Sequence, residues 1–176
     1  CMSDAGAEAY AKKRHELAQK HGLEIFTIAT HLQGQALGDE PSAKTLQFTR
    51  GEARAAYKAW RAKGNNPPRT NPYYVPDEVG KLIHEQSAKD LIACARLGHY
   101  LGKLQNRRIA ISGFVGSPAH CWSHFFLFPP LPTSLEGFAI PDARQVSLEL
   151  LVERFGPVWD EYKKYPEEIY AVTKED

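Results

Sequence analysis

Two short apolar runs, Leu23 to Thr30 and Arg108 to Val115, most constrain what this chain can fold into. Each is rich in β-branched or aromatic residues, too short for a helix and too apolar for a loop, so each is expected to be a buried strand. Whole helical segments lie between them, which prevents pairing as a hairpin. The natural arrangement is a parallel sheet with helices packed outside, and the expected class is α/β. Ligands of such sheets sit at the carboxyl ends of strands, here the loops that begin at Thr30-His31 and at Gly113.

The helices can be placed from propensity and from their stop signals. Ala5 to His21 is dominated by strong helix formers, and Gly22 stands where a left-handed C-cap is expected. Residues 31 to 50 carry Gly34, Gly38, Pro41 and Ser42 without a steady period and are expected to form a long irregular loop. Glu52 to Ala62 reads as helix, Gly64 to Pro68 and Asn71-Pro72 as breaks, and a further helix should start near Pro76, whose missing N–H costs nothing in a first turn. Val79, Leu82, Ile83, Cys94 and Leu97 give that helix an apolar stripe. A last helix is expected from the spacing of Leu148, Leu151, Phe155, Val158, Trp159 and Tyr162, with Asp142 and Gln145 placed to cap its start.

Composition enters as a set of exclusions. The 176 residues, 43% apolar and 24% charged, can bury an ordinary core and read as a single domain over residues 1–176. A formal charge of +1 announces neither a polyanion-binding protein nor an acidic tail. No run of about 18 apolar residues is present to span a bilayer. The start Cys1-Met2-Ser3-Asp4 lacks the basic and apolar regions of a secretory signal, so no membrane partner is expected and the location is expected to be cytoplasmic. Cys1, Cys94 and Cys121 are odd in number and lack CxxC spacing, which predicts reduced thiols. A cysteine ahead of the first methionine predicts that an N-terminal segment is missing.

The chemistry-bearing residues gather after the two strands. In Thr30-His31-Leu32-Gln33-Gly34-Gln35 the imidazole of His31 could serve as acid, base or metal ligand, and the two amides could orient hydroxyls. A His31 hydrogen-bonded to a neighbouring loop is an equal reading. The second group is Gly113-Phe114-Val115-Gly116-Ser117-Pro118, followed by His120, Cys121, Trp122, His124, Phe125, Phe126 and Phe128. Glycines at a strand end admit a ligand close to the backbone, and an aromatic ring can wall a sugar pocket. Trp122 is assigned to the pocket and the phenylalanines to a hydrophobic loop over the sheet. A zinc site on His120 and His124 is disfavoured, because no HExxH glutamate lies between them and prolines surround them. Cys121 is expected to be a plain thiol.

Residues 43 to 69 hold Lys44, Arg50, Arg54, Lys58, Arg61, Lys63 and Arg69 against Glu52, a local charge of +6, with Tyr57 and Trp60 interleaved. Such a pattern could grip phosphates or single-stranded nucleic acid. No recognised nucleic-acid module surrounds it, so a solvated face is the expectation and nucleic acid is not the expected partner.

Thr30 to Gln35, Gly113 to Ser117 and Trp122-Ser123-His124-Phe125-Phe126-Leu127-Phe128-Pro129-Pro130 together resemble the sugar phosphate isomerase/epimerase family. The family's fold is the xylose-isomerase-like TIM barrel, and the resemblance runs from about Ala5 to Tyr165. It implies that Leu23 to Thr30 and Arg108 to Gly113 correspond to the second and third barrel strands, making the chain an internal portion of a parallel barrel with outer helices. It further implies that His31, Gln33, Phe114, Gly116, Ser117 and Trp122 bind a sugar or polyol, with no catalytic role fixed for any of them. Members bind a divalent metal (Mn, Mg or Co) through residues that begin just after the helix matching Val146 to Tyr165. That strand and its ligands are not found in Pro166 to Asp176, so no metal ligand is assigned to this chain. Tyr100 to Arg107 looks like a small insertion relative to the family pattern.

A closed barrel needs about 250 residues. The chain alone is therefore expected to be inactive and to self-associate or pair with a second polypeptide. The function implied is a metal-dependent sugar isomerase or epimerase. The alternatives are a non-catalytic carbohydrate-binding remnant and a barrel nucleic-acid enzyme of the abasic-endonuclease kind.

Overall fold

The computed structural model describes residues 3–112, 152–161 and 163–164. Within them the order is α1 (Asp4–Lys20), β1 (Thr27–Ala29), α2 (His31–Gly38), a 3-10 turn (Thr45–Phe48), α3 (Glu52–Ala62), α4 (Asp77–Gln105) and β2 (Ala110–Ser112), and residues 152–161 are also helical. The protein is thus a mixture of helix and sheet in which helix dominates. Its contacts divide it into two compact units, the first drawn from Cys1–His31, Lys89–Gly113 and Gly156–Asp176, the second from Leu32–Ala88 and Phe114–Phe155.

In the first unit, Ser3 caps α1 by accepting the Gly6 N–H on its hydroxyl (3.2 Å), with Asp4 favourably placed in the first turn. The helix stops as expected at Gly22, whose φ of +66° is a left-handed conformation. There the Leu23 N–H reaches the Ala18 carbonyl and the Gly22 N–H reaches that of Gln19, so two carbonyls of the last turn are satisfied.

The two strands do pair in parallel, Thr27 opposite Ala110, Ile28 opposite Ile111 and Ala29 opposite Ser112. The ladder is shorter than the apolar runs suggest, and β1 is not buried throughout: Thr27 and Ala29 are exposed and Ile28 is half-buried. The cause lies in the side of the sheet that is covered. Within β1, Ile28 packs with Leu97 and Tyr100 against a core of Ala11, Leu101 and Ile109, and its neighbours Thr27 and Ala29, which point the other way along the strand, cannot share that face. The segment Tyr100 to Gln105, expected as part of an insertion, is the last part of α4, and Asn106 with φ +50° turns the chain out of it.

The second unit contains the largest departure from expectation. Residues 31 to 50 are not an irregular loop but hold α2 and the 3-10 turn. Gly34 and Gly38, which suggested a break, are buried within α2, where a side chain is not needed. Ser42 and Thr45 then cap one another: the Ser42 N–H donates to Thr45 Oγ1 (2.9 Å) and the Thr45 N–H to Ser42 Oγ (3.3 Å). Ala36, Leu46, Ala53, Val75, Val79 and Ile83 form the core, so α2, the turn, α3 and the start of α4 share one apolar centre. α3 and the start of α4 after Pro76 fall where expected.

Of the expected last helix, residues 152–161 are described. Val158 is buried there and Trp159 is 41% exposed, while Leu148, Leu151 and Tyr162 lie outside the described residues.

Candidate functional site

The carboxyl end of β1 is where ligands of parallel sheets bind, and a tight junction stands there. Thr30 is buried, and both of its donors converge on one acceptor: its N–H (2.6 Å) and its Oγ1 hydroxyl (3.0 Å) both donate to the Ser112 carbonyl. The ladder is thereby carried one residue past Ala29. The next residue, His31, is already the first of α2, so no loop intervenes. His31 and Gln33 are both half-buried.

Helix geometry separates these two candidates. Residues two apart on a helix do not face each other, whereas residues four apart lie on one face. Gln35, buried on α2, therefore shares the face of His31, and Gln33 does not. Sequence reasoning missed this because it placed all three in a loop. The remaining candidates, Phe114, Gly116, Ser117 and Trp122, lie outside the described residues, as do His120, Cys121 and His124.

The other end of α2 is held by two side-chain donors, one charged and one a histidine, that the sequence reading did not single out. Arg154 Nη1 donates to the carbonyls of Gly38 (3.0 Å) and Asp39 (3.4 Å), and His84 Nε2 lies 3.2 Å from the Asp39 carbonyl. Burial, with the Arg154 charge nearby, lowers the His84 pKa to about 4, against a weaker upward pull from the hydrogen bond to Asp39. His84 is thus neutral at neutral pH, and the carbonyl acceptor assigns the proton to Nε2. Burial also lowers the pKa of Arg154. Carbonyls at a helix C-terminus attract such donors, and that rule was the signal available in the sequence.

In the first unit, Glu161 accepts from Arg96 Nε (2.7 Å) and Nη2 (3.3 Å) and from Lys164 Nζ (2.9 Å). The Arg96 hydrogen bond chiefly holds the Glu161 pKa down to about 2. This pair ties the helical residues 152–161 to α4. Cys94 is a half-buried free thiol whose pKa is pushed up to about 11 by burial and then by Asp90, which makes it inert rather than nucleophilic.

The basic stretch is exposed as expected: Arg50, Arg54, Lys58, Arg61, Lys63 and Arg69 are all exposed and Lys44 is half-buried. Its aromatics are not scattered, however. Tyr57 stacks on Trp60 (centroids 5.6 Å apart), Trp60 meets Tyr74 at 6.1 Å, and Lys44 Nζ sits 4.5 Å from the centre of the Tyr73 ring.

Among the described residues, no group of three or more His, Cys, Asp or Glu is arranged to hold a metal ion, and no helix is long and apolar enough to cross a membrane. No protein-family model matches the chain, and no curated protein matches it.

Proposed function

We propose that the chain is part of a sugar or sugar phosphate isomerase or epimerase, built as a portion of a parallel (β/α) barrel. The observation that carries this reading is the junction at Thr30: a strand in a parallel pair ends on a buried threonine and delivers His31 at once, at the end of the sheet where barrel enzymes bind their ligands. The family resemblance of the segments after both strands supports it.

In this reading His31 binds a substrate hydroxyl or carbonyl oxygen through its imidazole, and Gln35, on the same helix face, holds the adjoining oxygen more naturally than Gln33 does. The resemblance assigns Phe114, Gly116, Ser117 and Trp122 to binding of the same sugar. Among the described residues no cluster fits the divalent metal that the resemblance implies.

The test is calorimetric titration of a panel of ketoses and ketose phosphates into the wild type, His31→Ala and Gln33→Ala, with conversion followed in the presence of Mn²⁺, Mg²⁺ or Co²⁺. Sugar binding that drops about tenfold in His31→Ala supports the site, since losing one hydrogen bond to a bound polar group costs roughly 1.5 kcal/mol. Conversion establishes the enzyme. Binding without conversion is expected of a portion of a barrel, so it supports the site, and conversion by a longer product carrying the later strands then separates the enzyme from a carbohydrate-binding function; no binding by any sugar overturns both.

A further inference from the structure

The second unit carries a feature that the sugar reading does not use. Seven cations against Glu52 give residues 43 to 69 a charge of +6, while the whole chain carries +1, so the remainder is net negative. The positive charge is therefore segregated on one short stretch.

On α3 the spacing of Arg54, Lys58 and Arg61 is four and then three residues, which aligns them in one stripe along about 10 Å of helix axis. Tyr57 falls between that stripe and the buried edge marked by Ala53, and Trp60 lies just beyond that edge, about 100° around the axis from Arg61. Arg54 is tied down by the carbonyls of Gln47 (2.6 Å) and Leu46 (3.4 Å). Arg50, Lys58, Arg61, Lys63 and Arg69 have no ion-pair partner among the described residues. The same short stretch thus holds five exposed cations without an ion-pair partner among the described residues and a run of three rings that ends in the 36% exposed Tyr74.

We propose that this face of the second unit binds single-stranded nucleic acid, with Lys58, Arg61, Lys63 and Arg69 on successive phosphates and Tyr74, at the exposed end of the rings, stacking on a base. Both parts of the ligand are matched: the cations release counterions from a phosphodiester backbone, and the ring offers a sequence-tolerant platform. A membrane surface fits less well. An interfacial helix sinks large apolar side chains into lipid, whereas the apolar side of α3 is alanine-rich and already packed in the core, and Tyr74 is the one exposed large apolar residue of this face.

The experiment is fluorescence anisotropy of a labelled oligothymidylate of roughly 20 nucleotides titrated with the full chain at several salt concentrations. The wild type should bind with an affinity that falls as salt rises. Lys58→Glu with Arg61→Glu should weaken binding more than tenfold, and Lys58→Ala with Arg61→Ala should lower the salt slope by about 1.4. Tyr74→Ala should weaken binding about tenfold while Tyr74→Phe retains it, with thermal melts of each variant confirming an intact fold. Heparin competing equally well, with no effect of Tyr74→Ala on the oligonucleotide, would overturn base stacking and leave a generic polyanion surface. Binding to vesicles rich in phosphatidylserine with none to the oligonucleotide would overturn the proposal in favour of a membrane. Neither result bears on sugar binding at His31, so the two readings stand or fall separately.

Discussion

The side chain of Gln105 takes the place of a strand partner for Ile25. Its Oε1 accepts the Ile25 N–H (3.0 Å) and its Nε2 donates to the Ile25 carbonyl (2.8 Å), so both backbone groups of a residue two positions before β1 are satisfied by the end of α4. The Phe26 carbonyl then accepts from the Ala110 N–H and the regular ladder begins. A carboxamide presents one donor and one acceptor side by side, which is what a peptide group in a neighbouring strand would offer.

Gln105→Ala should therefore cost about 1–3 kcal/mol in urea unfolding, because it leaves two part-buried backbone groups without partners. Gln105→Glu should cost nearly as much at neutral pH, since a carboxylate cannot donate to the Ile25 carbonyl. Stability equal to wild type in both variants would show that water replaces the amide without loss.

Gly22→Ala should destabilise the protein by about 1–2 kcal/mol. A Cβ at Gly22 would meet nothing within 4 Å, so the whole effect must come from the left-handed backbone at φ +66°. An equal or higher melting temperature for the variant would show that α1 can end in another way.

The titration of His84 makes stability depend on pH in a defined window. Its folded pKa of about 4 lies below the ordinary 6.5, so the unfolded chain binds the proton more readily. The stabilisation is complete above pH 6.5 and is lost as the pH falls from there toward 4. His84→Gln can still donate to the Asp39 carbonyl and should flatten the dependence of melting temperature on pH across this range. An imidazole signal titrating near 6.5 in the folded protein would contradict the assignment.

Glu161 acts at lower pH. Its folded pKa of about 2 is depressed from 4.5, so its contribution is present above 4.5 and is lost as the pH falls toward 2. Glu161→Gln should be less stable at neutral pH and should lose less on acidification below 4.5. Arg96→Met, which removes the two guanidinium bonds and leaves Lys164 on the carboxylate, should cost about 2–3 kcal/mol, less than the loss of one partner from a fully buried pair.

Thiol titration in denaturant without reductant should find three reactive cysteines, and Cys94 should react slowly in the native state because its thiolate is suppressed. Recovery of one thiol would reveal a bridge and reverse the expectation of reduced cysteines.

Where local signals were unambiguous, the sequence was readable. Gly22 ended α1, Pro76 preceded α4, and two apolar runs separated by helices paired in parallel. It misled where one residue type serves two purposes. Gly34 and Gly38 looked like loop residues but are small residues buried within a short helix. Leu23 to Phe26 looked like strand but is held partly by the Gln105 amide, a contact between positions far apart that no periodicity reveals. The site followed the same pattern. His31 was legible as a strand-end residue, but its relation to Gln33 and Gln35 depends on whether the segment is extended or helical. The anchoring pair of His84 and Arg154 is a long-range arrangement around one helix end, invisible to any local window.

The direct passage from Thr30 into α2 also bears on how this region can change over time. One residue inserted between Thr30 and His31 would rotate every following helical side chain by about 100° around the axis. No slack exists at that point to absorb it. Substitution is therefore the route left open for altering what this end of the sheet recognises, and gaps and insertions among related chains should fall elsewhere, for example around the solvent-facing Gly64 to Asn66.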